Sequence, residues 1–122
     1  MNCGDVVLLS GGIGAGKTVL AKGIGAGLGV AETMTSPTFT IVQEYVGSVP
    51  VLHVDLYRIS SDDEFDQLGL AESMARSITL IEWPEHAPGA LPDDAYRIAI
   101  TIDDTGGRTI DVPTTLVPDG TP

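Results

Sequence analysis

The sequence predicts a small α/β domain, with helix packed on a mixed sheet. Three observations carry that expectation. An apolar run near the start, Val6-Val7-Leu8-Leu9, leads through glycines into a helical stripe. Further strand patterns follow, two of them joined by a turn short enough to require an antiparallel hairpin. The length of 122 residues fits one domain and leaves no room for two.

Each element has its own signal. Val6 to Leu9 is bounded by Asp5 and by Ser10-Gly11-Gly12, and so reads as a buried central strand. From about Lys17 to Leu28, the four-residue spacing of Leu20, Ile24 and Leu28 makes one apolar helix stripe. That helix is poor by propensity, because Gly23, Gly25 and Gly27 each cost about 1 kcal/mol relative to Ala, so packing or a ligand must hold it. Gly29 supplies its stop. Thr33 to Pro37 reads as a loop, Thr38 to Tyr45 as a strand, Gly47-Ser48 as a hairpin turn and Val51 to Val54 as the returning strand.

Ser61-Asp62-Asp63-Glu64 has the capping-box order and opens a short helix ending near Gly69, with a second over Ala71 to Arg76. Ile78 to Ile81 is another buried-type strand, and Pro84, Pro88 and Pro92 mark a loop. Tyr96 to Asp103 alternates, placing Ile98, Ile100 and Ile102 on one face. Asp104 to Gly107 turns the chain into a last strand, Arg108 to Val112. Residues 1–112 therefore form the domain, and 113–122 a frayed tail.

Composition excludes several classes. Hydrophobic residues at 43% and charged residues at 19% argue against wholesale disorder. No apolar run reaches the roughly 18 residues of a membrane span, and no basic leader opens the chain. The single cysteine, Cys3, forms no internal disulfide, which points to the cytoplasm. Seventeen acidic against six basic residues give a net charge of −11, a surface that repels a nucleic-acid backbone. No stand-alone nucleic-acid binding is expected. A nest of backbone N–H groups can still hold phosphate locally against such a field.

Gly11-Gly12-Ile13-Gly14-Ala15-Gly16-Lys17-Thr18 supplies that nest, fitting the pattern G-x-x-x-x-G-K-[ST]. Its glycines let successive amides curl around a β-phosphate, Lys17 sets a point charge against the β- and γ-phosphates, and Thr18 offers a hydroxyl to Mg²⁺. The stretch Gly11 to Val19 is thus the candidate nucleotide-binding segment, at the N-terminus of the helix it opens. A chain of this length matches the pattern by chance in roughly 4 cases per 1000 at average glycine content. The strand before it and the helix after it are the context it requires, and the fold class sharpens to a P-loop NTPase-type domain of two or three layers.

A phosphate loop needs an acidic partner for its cation. Val51-Leu52-His53-Val54 runs into Asp55, and Ile78-Thr79-Leu80-Ile81 runs into Glu82, so each buried-type strand ends in a carboxylate of the hard-oxygen kind that Mg²⁺ takes. Asp55 and Glu82 are both candidate metal ligands and, with Lys17, candidate catalytic groups. One could fix the ion and the other orient the attacking water; spacing does not divide these roles. Ser36-Pro37-Thr38-Phe39 is either a γ-phosphate sensor or an ordinary loop start. His53 reads as a structural residue on an apolar strand. Trp83 reads equally as a base-packing or a core residue, and Arg58 and Arg108 as arginines that could reach phosphate or lie on a solvated face.

Taken together, Ser10 through Thr18, Ser36-Pro37-Thr38-Phe39, His53-Val54-Asp55-Leu56-Tyr57-Arg58, Leu68-Gly69-Leu70 and Ile81-Glu82-Trp83-Pro84-Glu85 resemble the TsaE family, the bacterial ATPases of tRNA threonylcarbamoyladenosine biosynthesis. The likeness runs from about Gly4 to Val112. It implies a domain that binds and slowly hydrolyses ATP with Mg²⁺, and that works with TsaD and TsaB, which place threonylcarbamoyl on adenosine 37 of ANN-decoding tRNAs. The family does not perform that transfer itself; its ATPase supports turnover of the complex. By motif, the resemblance assigns phosphates to Lys17 and its loop, Mg²⁺ to Thr18 and Glu82, a place near the metal or the attacking water to Asp55, and places near the nucleotide to Trp83 and Arg108. Family members usually carry a further strand and helix before the first strand seen here. The chain is accordingly expected to be N-terminally shortened, and an upstream extension to tighten ATP binding.

Two other functions share these motifs. A small-molecule P-loop kinase needs an arginine-bearing lid and a substrate pocket, for which four arginines and no spare segment are a thin supply. A nucleotide-gated binding module would assemble partners without turnover.

Overall fold

Four consecutive apolar residues cannot be hidden on one face of a surface strand, so Val6 to Leu9 is driven to the middle of a sheet, covered on both sides. The structure, a computed structural model, describes residues 2–11, 17–31, 41–102 and 105–112 of the chain. In it, β1 (Val6–Ser10) is followed by α1 (Lys17–Gly27), β2 (Val42–Val46), β3 (Pro50–Asp55), α2 (Asp62–Gln67), α3 (Ala71–Ala75), β4 (Ile78–Glu82), β5 (Tyr96–Ile102) and β6 (Arg108–Asp111). The six strands form one sheet in the order β2-β3-β4-β1-β5-β6. β3, β4, β1 and β5 are mutually parallel, while β2 and β6 pair antiparallel at the two edges.

Side chains alternate along a strand, so each buried strand feeds two cores. Val7, Leu9, Val51, Ile78, Leu80 and Ile98 face α1, whose Leu20, Ala21 and Ile24, with Leu28 just past its end, pack on them. Val6, Leu8, Leu52, Val54 and Ile81 face the other way, toward Phe65 of α2, Met74 of α3, Ala87 and Leu91. The domain therefore has three layers. Full burial of one such aliphatic side chain is worth about 1.5–3 kcal/mol, enough to offset the poor propensity of the glycine-laden α1. That helix ends where the sequence places its stop. Gly29 takes φ +87°, Gly29 N–H donates to the Ala26 carbonyl and Val30 N–H to the Gly25 carbonyl, the paired bonds of a Schellman cap.

The structure differs from the sequence reading at three places. Among the described residues the hairpin strand covers Val42–Val46 and leaves Ile41 out; the expected start at Thr38 falls within 32–40, outside the described residues. Pro84 and Pro88 each open a short 3-10 turn, Pro84–His86 and Pro88–Ala90, because proline's fixed φ suits a first helical position. Ile98 and Ile100 are buried as the alternation requires, but Ile102 is 49% exposed, beyond the reach of the core. The 113–122 tail also lies outside the described residues. None of the helices among them is long and apolar enough to cross a membrane.

The connections decide where a ligand can sit. The chain leaves β1 through α1 and proceeds to β2 and β3, past β4 in the sheet; it leaves β4 through the 3-10 turns and reaches β5, on the other side of β1. Such a reversal opens a crevice beyond the carboxyl ends of the parallel strands. Here it lies at β1 and β4.

Candidate active site

Register builds the site from the sheet upward. Asp55 is the last residue of β3 and Glu82 the last of β4, and the parallel pairing sets them directly beside each other. Glu82 is in turn level with Leu9, one residue before the end of β1. By strand alternation His53, Asp55 and Glu82 all project to the α1 side, in line with Val51, Ile78 and Leu80. The two acid-ending strands read from the sequence are therefore neighbours, and their acids share one face of one edge.

Lys17 opens α1 at the same edge. It is buried to 6% exposure, and its Nζ donates to the Gly11 carbonyl at 2.7 Å. The ammonium lies 3.3 Å from the centroid of the Trp83 ring, a cation–π contact. Burial pushes the lysine below its ordinary pKa, while the negative charges of Glu82, Glu85 and Asp55 act to hold it up.

Trp83 reaches this position through its backbone. It is the one non-glycine residue with positive φ among those described, at φ 58° and ψ 49° in the left-handed region. A bulky side chain there costs about 1–3 kcal/mol, and such strain concentrates at ligand sites. The half-buried ring packs partly on the core and forms a cluster with Tyr57 at 5.1 Å and His86 at 5.4 Å between centroids. His86 Nδ1 is 2.9 Å from the Leu56 carbonyl, which ties the cluster to the end of β3. Two more bonds fix that end: Leu56 N–H donates to the Glu82 carbonyl at 3.0 Å, and Tyr57 N–H donates to Asp55 Oδ1 at 2.9 Å.

Of the residues expected from the sequence, the structure brings together Gly11, Lys17, Asp55, Glu82 and Trp83. Val19 lies in the first turn of α1 and is 71% exposed. The backbone of Arg108 pairs with Ile102 at the end of β5, on the carboxyl side of the sheet but two strands from β1; its side chain, like that of Thr18, lies outside the described residues. So do Gly12, Ile13, Gly14, Ala15 and Gly16, and Ser36 to Phe39. Arg58 is exposed. The sequence reading assigns no site role to three residues at this edge. Tyr57 and His86 carry no local signal. His53 does: its two-residue spacing from Asp55 puts both on one face. His53 is fully buried, with Nε2 2.6 Å from Glu82 Oε2.

Two adjacent carboxylates are hard oxygen donors of the kind Mg²⁺ accepts. Among the described residues no group of three or more His, Cys, Asp or Glu side chains would hold a metal unaided. Two carboxylates fit a cation that keeps several waters and shares phosphate oxygens with a nucleotide.

A family model described as "Threonylcarbamoyl adenosine biosynthesis protein TsaE" matches residues 1–110. The tRNA threonylcarbamoyladenosine biosynthesis protein TsaE of Treponema pallidum is 38% identical over 110 residues, covering 89% of this chain and 82% of that protein. Its counterpart in Streptomyces coelicolor is 42% identical over 115 residues, covering 91% and 76%. Among solved structures, the chain is similar to crystalline YdiB of Bacillus subtilis, with a TM-score of 0.70 and 34% identity over 91% of this chain and 70% of that one. The fold is that of a small P-loop NTPase-type α/β domain on a mixed sheet, as the sequence predicts.

Proposed function

The chain belongs to the TsaE family, and from there we propose that it is an ATP-binding, slowly ATP-hydrolysing accessory factor for threonylcarbamoyladenosine formation on tRNA. The observation that carries this reading is the convergence of Lys17, Asp55 and Glu82 on one sheet edge, beside the carbonyl of Gly11, where the phosphate-loop sequence begins. In the proposed mechanism the Lys17 ammonium pairs with the β- and γ-phosphates, exchanging its contacts with Trp83 and the Gly11 carbonyl for stronger charge-assisted ones. The loop amides from Gly11 to Thr18 hold the remaining phosphate oxygens. Glu82 and Thr18 are the residues that would hold Mg²⁺, which when bound offsets the negative charge of the nucleotide. Asp55 orients water toward the γ-phosphate. Its Oδ1 already accepts from Tyr57, so the carboxylate is fixed in place rather than free to swing.

The net charge of −11 bears on the division of labour. A surface of that sign gives a tRNA backbone little counter-charge, which fits the division that the family resemblance implies, in which TsaD and TsaB act on the tRNA and this chain supplies nucleotide turnover to the assembly. Phosphate release, measured for wild type and Lys17→Ala with and without TsaB and TsaD, tests the reading. Release by wild type, raised by the partners and absent from the variant, is expected. Equal release by both proteins would overturn it. Adding small alcohols or nucleosides with labelled ATP covers the kinase alternative, for which a phosphorylated product is the signature.

A further inference from the structure

His53 sits wholly inside the α1-side core, on β3 between Leu52 and Val54, with 0% exposure. A histidine buried for structural reasons satisfies both ring nitrogens. This one does not. Nε2 lies 2.6 Å from Glu82 Oε2, while Nδ1 has no hydrogen-bond partner among the described residues. Only the nitrogen that faces the site acid is used.

The orphan nitrogen decides where the proton is. If Nδ1 carried a hydrogen, either as an imidazolium or with a protonated Glu82 donating to Nε2, the core would enclose an N–H with no acceptor. If the ring is neutral with its hydrogen on Nε2, the core encloses only a bare lone pair. Orphaned buried N–H groups are rarer than under-used acceptors, and a buried imidazolium adds a desolvated charge. The Nε2–H tautomer is therefore favoured, with His53 donating to the Glu82 carboxylate.

We infer that His53 is a positioning residue that fixes the Glu82 carboxylate from beneath. The inference builds on the proposed role of Glu82 toward Mg²⁺ and adds the residue that aims it. A glutamate has three side-chain torsions to restrain, and Glu82 is 3% exposed at a strand end. A donor rooted two residues before Asp55, on the neighbouring strand and the same face, restrains one oxygen and so sets the plane of the group. Groups that orient a metal-binding carboxylate in this way change metal affinity about 10–100-fold when removed. An imidazole left half-satisfied in an apolar core costs stability, which a purely structural role does not explain.

The test is the ratio of ATP dissociation constants measured by calorimetry in EDTA and in Mg²⁺. Glu82→Gln should lower this ratio. If it does not, the ion does not meet Glu82, and the proposed role and this inference fail together. With that effect present, His53→Leu should lower the ratio about tenfold and leave the dissociation constant in EDTA unchanged. His53→Gln, which keeps an N–H donor near the Nε2 position, should recover most of the loss. An unmoved ratio in His53→Leu, or equal losses in His53→Leu and His53→Gln, overturns the positioning role alone. Should His53→Leu fail to fold, ¹⁵N spectra of wild-type imidazoles decide. A protonated Nε2 whose resonance moves when Mg²⁺ joins bound ATP is expected, and a protonated Nδ1 contradicts the inference.

Discussion

Trp83 concentrates the local physics of the site. Its left-handed backbone turns the chain sharply after Glu82 and lays the indole beneath the Lys17 ammonium. The ring's value and the backbone's cost can be separated by two variants that both delete the indole. Trp83→Gly also relieves the positive φ, which burdens any residue with a Cβ by about 1–2 kcal/mol. Trp83→Gly should therefore be more stable than Trp83→Ala by about 1 kcal/mol in urea unfolding. An alanine variant as stable as the glycine one would show that residue 83 does not hold this conformation.

At the scale of elements, the hairpin turn and the helix end support each other. Gly47 and Ser48 join β2 to β3 and lie against the C-terminus of α1, where Ser48 N–H and Oγ–H both donate to the Leu28 carbonyl at 2.8 Å. A Cβ built on Gly47 would stand 2.5 Å from the Leu28 carbonyl oxygen, a backbone atom that cannot swing aside. Gly47→Ala should cost about 1–3 kcal/mol, read as a lower urea midpoint, and an unchanged midpoint would refute this packing. The turn itself is legible in the sequence as Gly47-Ser48, and so is the α2 cap, where Ser61 Oγ accepts from Glu64 N–H at 3.2 Å. These are local signals, carried by residues within four positions of each other. The acid-ending strands are also legible, because a short buried-type apolar run that ends in a carboxylate marks a strand end. The pair His53–Glu82 spans 29 residues and depends on β3 lying beside β4 in one register, which no local pattern states. The exposure of Ile102 has the same origin: alternation assigns its face, and only the assembled sheet shows that this end of β5 is open to solvent.

For the molecule as a whole, topology places the proposed nucleotide site where net charge alone disfavours one. A chain at −11 repels ATP at long range, so any binding depends on a short-range cradle where fixed dipoles and one buried cation outweigh the field. The strand order gives the proposed cradle its place, by setting β1 between β4 and β5 and reversing the connections around it. The acids expected to serve a phosphate loop could have ended on opposite faces or opposite edges. They lie side by side on the face that α1 covers, next to the lysine that opens α1.

Calorimetric titration of Mg²⁺·ATP into wild type and Lys17→Ala, with unfolding temperatures recorded for both, tests this most directly. One saturable site is expected in wild type. In a variant of equal or higher unfolding temperature, the loss of a buried charge-assisted contact of about 1.5–3 kcal/mol should weaken binding by roughly tenfold to a hundredfold. Equal affinity in the two proteins would contradict the account, because the ammonium at that edge would then not be meeting a phosphate.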